Sequence, residues 1–195
     1  MTNEIFKDRE RANEAAYFRD QDAKLLDSLR RQAPLKEIAV AIGEKLQVDN
    51  PDLLERVRAL GLRAENATAL FMAPLVQVAW ADGSVTKQER ETVLQLATGR
   101  GIEVNTPAFE KLAEWLYLRP SNAVFDTAVE VIKYGFGVLP ADEREERIKR
   151  VVEACHDVAA ASGGGLAGLL GLNDGVSAIE ASTLDAINST LRNEG

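Results

Sequence analysis

The chain has 195 residues, 46% of them apolar, a net charge of −8 and one cysteine. That length and composition suit a globular fold with a sizeable core and exclude a disordered chain. The acidic balance argues against nucleic acid as a partner, since phosphate contacts need clustered Lys and Arg.

A lone Cys155 cannot build an intramolecular disulfide framework and fits a reducing compartment. The opening Met1 to Arg11 lacks the apolar core of a secretory signal, so a cytoplasmic protein is expected. The first 33 residues hold equal numbers of basic and acidic side chains and no Gly or Pro, so the remainder carries the whole −8. Phe18, Leu25, Leu26 and Leu29 form a narrow apolar stripe at helical spacing. On so charged a helix, such a stripe suits docking to a partner or pairing with a second copy better than burial. Packing of this helix on its own domain is the plainer alternative.

Pro34 is expected to end that segment and to open a body over 34–195. Leu35, Ile38, Ala39, Ile42 and Leu46 predict an amphipathic helix. Asn50-Pro51 starts another, with Asn50 as cap and Pro51 in the first turn. The most apolar run, Ala67 to Ala81, is too short for a membrane span of about 20 residues. It predicts a buried helix from about Asn66, kinked at Pro74. Further helices are expected from Lys87, from Thr106-Pro107, around Phe125 to Phe136, and from Pro140. The last of these carries Ile148, Val151, Val152, Cys155 and Ala159 on one face, and Ser162-Gly-Gly-Gly165 ends it. The final helix carries Ile179, Leu184, Ile187 and Leu191. No stretch alternates with the period of a strand. The fold class is therefore all-α, a compact multi-helix bundle.

Two turns share a design. Ala81-Asp82-Gly83 leads to Thr86-x-x-Glu89, and Asn173-Asp174-Gly175 leads to Ser177-x-x-Glu180. Asp-Gly makes a tight turn, because Gly takes positive φ freely and Asp bonds back to the backbone. Each Thr or Ser with its Glu reads as a capping box. The bland reading is a structural turn. The sharper one brings Asp82, Glu89, Asp174 and Glu180 together as hard oxygen ligands for Ca²⁺ or Mg²⁺. The spacing is not that of an EF-hand. Asp82 lies seven positions before Glu89 and Asp174 six before Glu180, so the copies are unequal.

The other candidates are weaker. The triple glycine lacks the Lys of a phosphate loop. Cys155 and His156 point about 100° apart on a helix and have no further Cys or His for zinc. Trp80 and Trp115 read as core. No nucleophile and base are paired, so no enzyme is expected.

From about Leu53 to Leu191 the pattern resembles the TerB-like superfamily, named after a tellurite-resistance protein. The residues carrying the likeness are V-A-W-A-D-G-S-V-T-K-Q-E-R from Val78 and A-S-G-G-G-L-A-G-L-L-G-L-N-D-G-V-S-A-I-E from Ala161. The resemblance implies a bacterial, non-enzymatic helical domain with pseudo-repeated halves, linked to chemical stress and to membrane-associated complexes. It also implies a metal cluster on Asp82, Glu89, Asp174 and Glu180. The second turn departs from the family in its glycine-rich, apolar lead-in.

Residues 1–33 resemble the inhibitor helix of F-type ATP synthase through R-E-x-A-x-E-x-x-Y-F-R-x-Q, here Arg9, Glu10, Ala12, Glu14, Tyr17, Phe18, Arg19 and Gln21. Leu26 and Leu29 follow in register. The resemblance implies a helix wedged between catalytic subunits of the ATPase. The histidines of a pH-tuned inhibitor have no counterpart before His156.

Overall fold

The fold follows from one segment that is apolar at every position but Gln77. In a computed structural model, which describes the backbone of residues 2–43, 48–162 and 176–193 and the side chains from Arg19 onward except Arg31 and Ser162, that segment lies at the centre. Helix α1 spans Thr2–Gly43, α2 Pro51–Ala59, and a 3₁₀ helix Ala67–Met72. Then come α3 (Ala73–Ala79), α4 (Lys87–Gly99), α5 (Pro107–Tyr117), α6 (Asn122–Gly137), α7 (Ala141–Ser162) and α8 (Ala178–Arg192). No strand occurs among the described residues. None of the described helices is long and apolar enough to cross a membrane.

A helix hydrophobic all round must be enclosed. In α3 the side chains of Ala73, Pro74, Leu75, Val76, Val78 and Ala79 are all buried. Every helix from α4 to α8 packs on it, and so does the 3₁₀ helix. The packing is reciprocal: α3 lies on α7, α4 also packs on α7, and α8 also packs on α3. The two helix pairs, α3 with α4 and α7 with α8, therefore embrace each other. Helix α6 closes one side with Val124, Phe125, Ala128, Val131, Ile132 and Phe136. The Trp80 indole N–H donates to the Trp115 carbonyl at 2.8 Å and ties the end of α3 to α5. Cys155 is fully buried, and burial pushes its thiol up to about 12, far from a reactive thiolate. His156 beside it is exposed.

Local chemistry sets most boundaries. Asn50 Oδ1 accepts from the N–H groups of Asp52 and Leu53, both at 3.1 Å, and Pro51 fills the first turn of α2. Thr106 caps α5 ahead of Pro107. At the end of α4, Gly101 takes φ 82°, which lets the Ile102 N–H reach the Ala97 carbonyl at 3.0 Å.

Two expected boundaries differ. Pro34 does not end the first segment but sits inside α1. Its missing N–H forfeits the bond to the Arg30 carbonyl, and the helix continues because Ile38 and Ile42, 1% and 0% exposed, bury in the turns that follow. The apolar run from Asn66 is two helices. Pro74 cannot donate to Leu70, so the residues before it take the tighter 3₁₀ form and α3 starts anew with Pro74 in its first turn. Leu46 and the triple glycine fall outside the described residues.

Among the described residues Phe125 is the largest fully buried side chain. Phe125→Ala should cost about 3–5 kcal/mol in urea unfolding. Leu26→Ala, on an exposed side chain, should stay within about 0.5 kcal/mol.

Candidate functional site

The first turn forms as its residues require. Asp82 Oδ1 accepts from the Ser84 N–H at 3.0 Å. Gly83 takes φ 93°, and its N–H donates to the Trp80 carbonyl at 3.0 Å. Thr86, extended at φ −69° and ψ 167°, then caps α4. Its hydroxyl accepts from the Glu89 N–H at 3.2 Å, and Glu89 Oε2 accepts from the Thr86 N–H at 2.7 Å.

The start of α8 repeats this. Ser177 has φ −72° and ψ 159°, its hydroxyl accepts from the Glu180 N–H at 3.2 Å, and Glu180 Oε2 accepts from the Ser177 N–H at 2.6 Å. Asp174 and Gly175, the turn ahead of this cap, lie outside the described residues.

Capping-box glutamates are ordinarily solvated. Here Glu89 is 0% exposed and Glu180 2%, and they are the only buried charged side chains among the described residues. Their phase explains it. Glu89 shares a face with Val93 and Ala97, and Glu180 with Leu184, Ile187 and Leu191, all core positions. Ile179, expected in that core, is 57% exposed because Glu180 holds the inward position. The helical phase of Glu89 and Glu180 relative to those apolar residues is the signal that finds them in the sequence.

Burial holds the Glu89 carboxyl above the usual carboxylate range. The Thr86 backbone N–H and side chain oppose that shift, while the negative charges of Glu180 and Asp82 reinforce it. Glu89 Oε1 is buried with no hydrogen-bond partner, a state that costs free energy. Arg90 does not relieve it. Its Nη2 donates weakly to the Val85 and Leu116 carbonyls, both at 3.4 Å, and its guanidinium lies 4.1 Å from the Tyr117 ring centre.

Of the four acidic residues expected to converge, Glu89 and Glu180 lie within electrostatic reach of each other, and Asp82 flanks them from an exposed turn. Among the described residues no three His, Cys, Asp or Glu groups make a metal site on their own. The oxygens present are of the hard type that Mg²⁺ and Ca²⁺ take, and an orphaned carboxylate oxygen fits such an ion. Mg²⁺ in particular binds through one or two carboxylates and keeps several waters.

On the N-terminal helix, Gln21 is exposed and Leu26 and Leu29 are 53% and 52% exposed. Arg19 is exposed too and has an interaction partner of its own. The side chains of Arg9, Glu10, Tyr17 and Phe18 lie outside those described. No protein family, curated protein or solved structure matches this chain.

Two outcomes test the site. Thr86→Ala removes one cap oxygen and should cost about 1 kcal/mol in unfolding free energy. The folded-state Glu89 holds its proton more tightly than the unfolded chain does. Its contribution to stability therefore falls as pH rises from about 4.3 through the raised folded value. Glu89→Gln has no such proton to lose. Urea unfolding between about pH 4 and pH 7 should show the native chain losing stability relative to this variant as pH rises. A pH-independent difference would mean that Glu89 titrates normally.

Proposed function

We propose that this protein is a non-enzymatic, regulatory binding module of the TerB-like type, whose body responds to a divalent cation at the paired capping turns. The observation that carries the reading is the fully buried Glu89 oxygen without a partner, within reach of the Glu180 charge. Two buried carboxylates repel each other when both are ionised. A cation between them turns that repulsion into attraction and supplies the partner that Glu89 Oε1 lacks. Glu89 and Glu180 would hold it, with Asp82 on the exposed side and Asp174 as the fourth acidic residue of the resemblance. The cation would supply charge and rigidity at the start of α4 and α8, and no reaction is needed.

Calorimetric titration with Mg²⁺ and Ca²⁺ tests this. Binding below millimolar, weakened at least about tenfold by Glu89→Gln or Asp82→Ala, is expected. No heat with either ion, or affinity indifferent to both substitutions, would sink the cation component.

The exposed leucines of α1 favour a second reading. Leu25, Leu26 and Leu29 each leave more than half their surface in water, on a helix that resembles the F-type ATPase inhibitor. In this reading α1 docks in a groove of a partner protein, as amphipathic helices do, with the ATPase catalytic subunits as that partner. A peptide of residues 6–31 should inhibit ATP hydrolysis by F-type ATPase membranes at micromolar concentration, and Phe18→Ala should relieve the inhibition. Full hydrolysis in the presence of the unmodified peptide would remove this reading.

A further inference from the structure

We propose that α1 pairs antiparallel with α1 of a second copy of this chain, across a two-fold axis at Leu29. The helical phase of α1 is the first reason. The helix runs unbroken through Pro34. At about 100° per residue, Leu29 lies opposite Ile38, which is 1% exposed and packs into the body. Asp22, Leu25, Ala33, Lys36 and Val40 all fall within about 40° of Leu29. Every one of them is exposed, with Leu25, Leu29 and Val40 at 58%, 52% and 66%. This stripe runs along the side of α1 turned away from its own body, so the body cannot cover it.

The order of charges along the stripe selects the occupant and its direction. Asp22 lies seven positions before Leu29, and Lys36 seven after it. Neither makes an ion pair among the described residues. A two-fold axis at Leu29 reverses the second helix. Each Asp22 then meets the Lys36 of the other copy at the same height, about 10 Å from the axis. Leu25 meets Ala33 in the same way, four positions either side of Leu29, a large side chain against a small one. Parallel pairing would instead set Asp22 on Asp22 and Lys36 on Lys36, a repulsion at both ends. It would also bring two bodies, each of charge −8, to the same end. Antiparallel pairing sends them to opposite ends and to outer faces. An acidic or a basic partner would answer only one of the two charges, whereas a second copy answers both. The pairing is independent of the cation site, and in the free protein it covers the leucines that a different partner would meet.

Sedimentation equilibrium of the full chain tests the pairing. A mass rising from 21.2 kDa towards twice that value between about 1 and 100 µM is expected. Asp22→Lys should weaken association about tenfold, Lys36→Asp should do the same, and the two together should restore it. Leu29→Asp alters an exposed side chain and should leave a monomer, with circular dichroism melting reporting that each variant is folded. Cys155 is fully buried, so an introduced thiol reports only on its own surroundings. Under mild oxidation with diamide, Leu29→Cys should give a disulfide-linked dimer and Asp22→Cys should not. A mass of 21.2 kDa throughout that range would overturn the proposal, as would association indifferent to Leu29→Asp. Cross-linking of Asp22→Cys as readily as Leu29→Cys, or a double exchange that fails to restore association, would overturn it too.

Discussion

The enclosure of α3 is the constraint on which the rest of the molecule depends. Six of its seven residues are apolar and buried and cannot lie at a surface, so α4 to α8 and the 3₁₀ helix cover them. The covering helices are then fixed relative to one another through what they share. The reciprocal packing of α4 on α7 and α8 on α3 follows from this, because each helix pair must bury its first member against the other pair. The capping boxes at the starts of α4 and α8 lie where the chain turns back to complete that cover.

That placement gives the two glutamates their unusual surroundings. A capping box satisfies backbone donors at a helix start, and its carboxylate is normally kept ionised by the N–H groups and by water. Enclosure removes the water. Glu89 keeps its Thr86 donor yet has an oxygen with nothing to accept from. The same interaction that starts the helix thus leaves a charge with incomplete solvation inside the protein. The cation reading grows from this tension between local capping and tertiary burial.

Helix starts were legible in the sequence because capping is local. Asn50-Pro51, Thr86 with Glu89, Thr106-Pro107 and Ser177 with Glu180 each do what their side chains dictate within a few residues. The all-α class was legible for the same reason, since apolar spacing near 3.6 recurs through the chain. What depended on distant residues was harder to read. Pro34 lies within a helix because Ile38 and Ile42 find a core supplied by α2 and the 3₁₀ helix. Whether a capping glutamate faces water or protein depends on what covers it, and only its phase relative to Val93 or Leu184 hints at the answer.

Pro34 carries one more consequence. It interrupts the hydrogen-bond ladder of α1 one turn before Ile38, where the helix begins to bury. The exposed stretch and the anchored end are therefore separated by a step that lacks one backbone hydrogen bond. Substitutions at the exposed positions of residues 19–30 should leave the stability of the body nearly unchanged. The proline thus divides a single continuous helix into an exposed stretch and a stretch that the core holds.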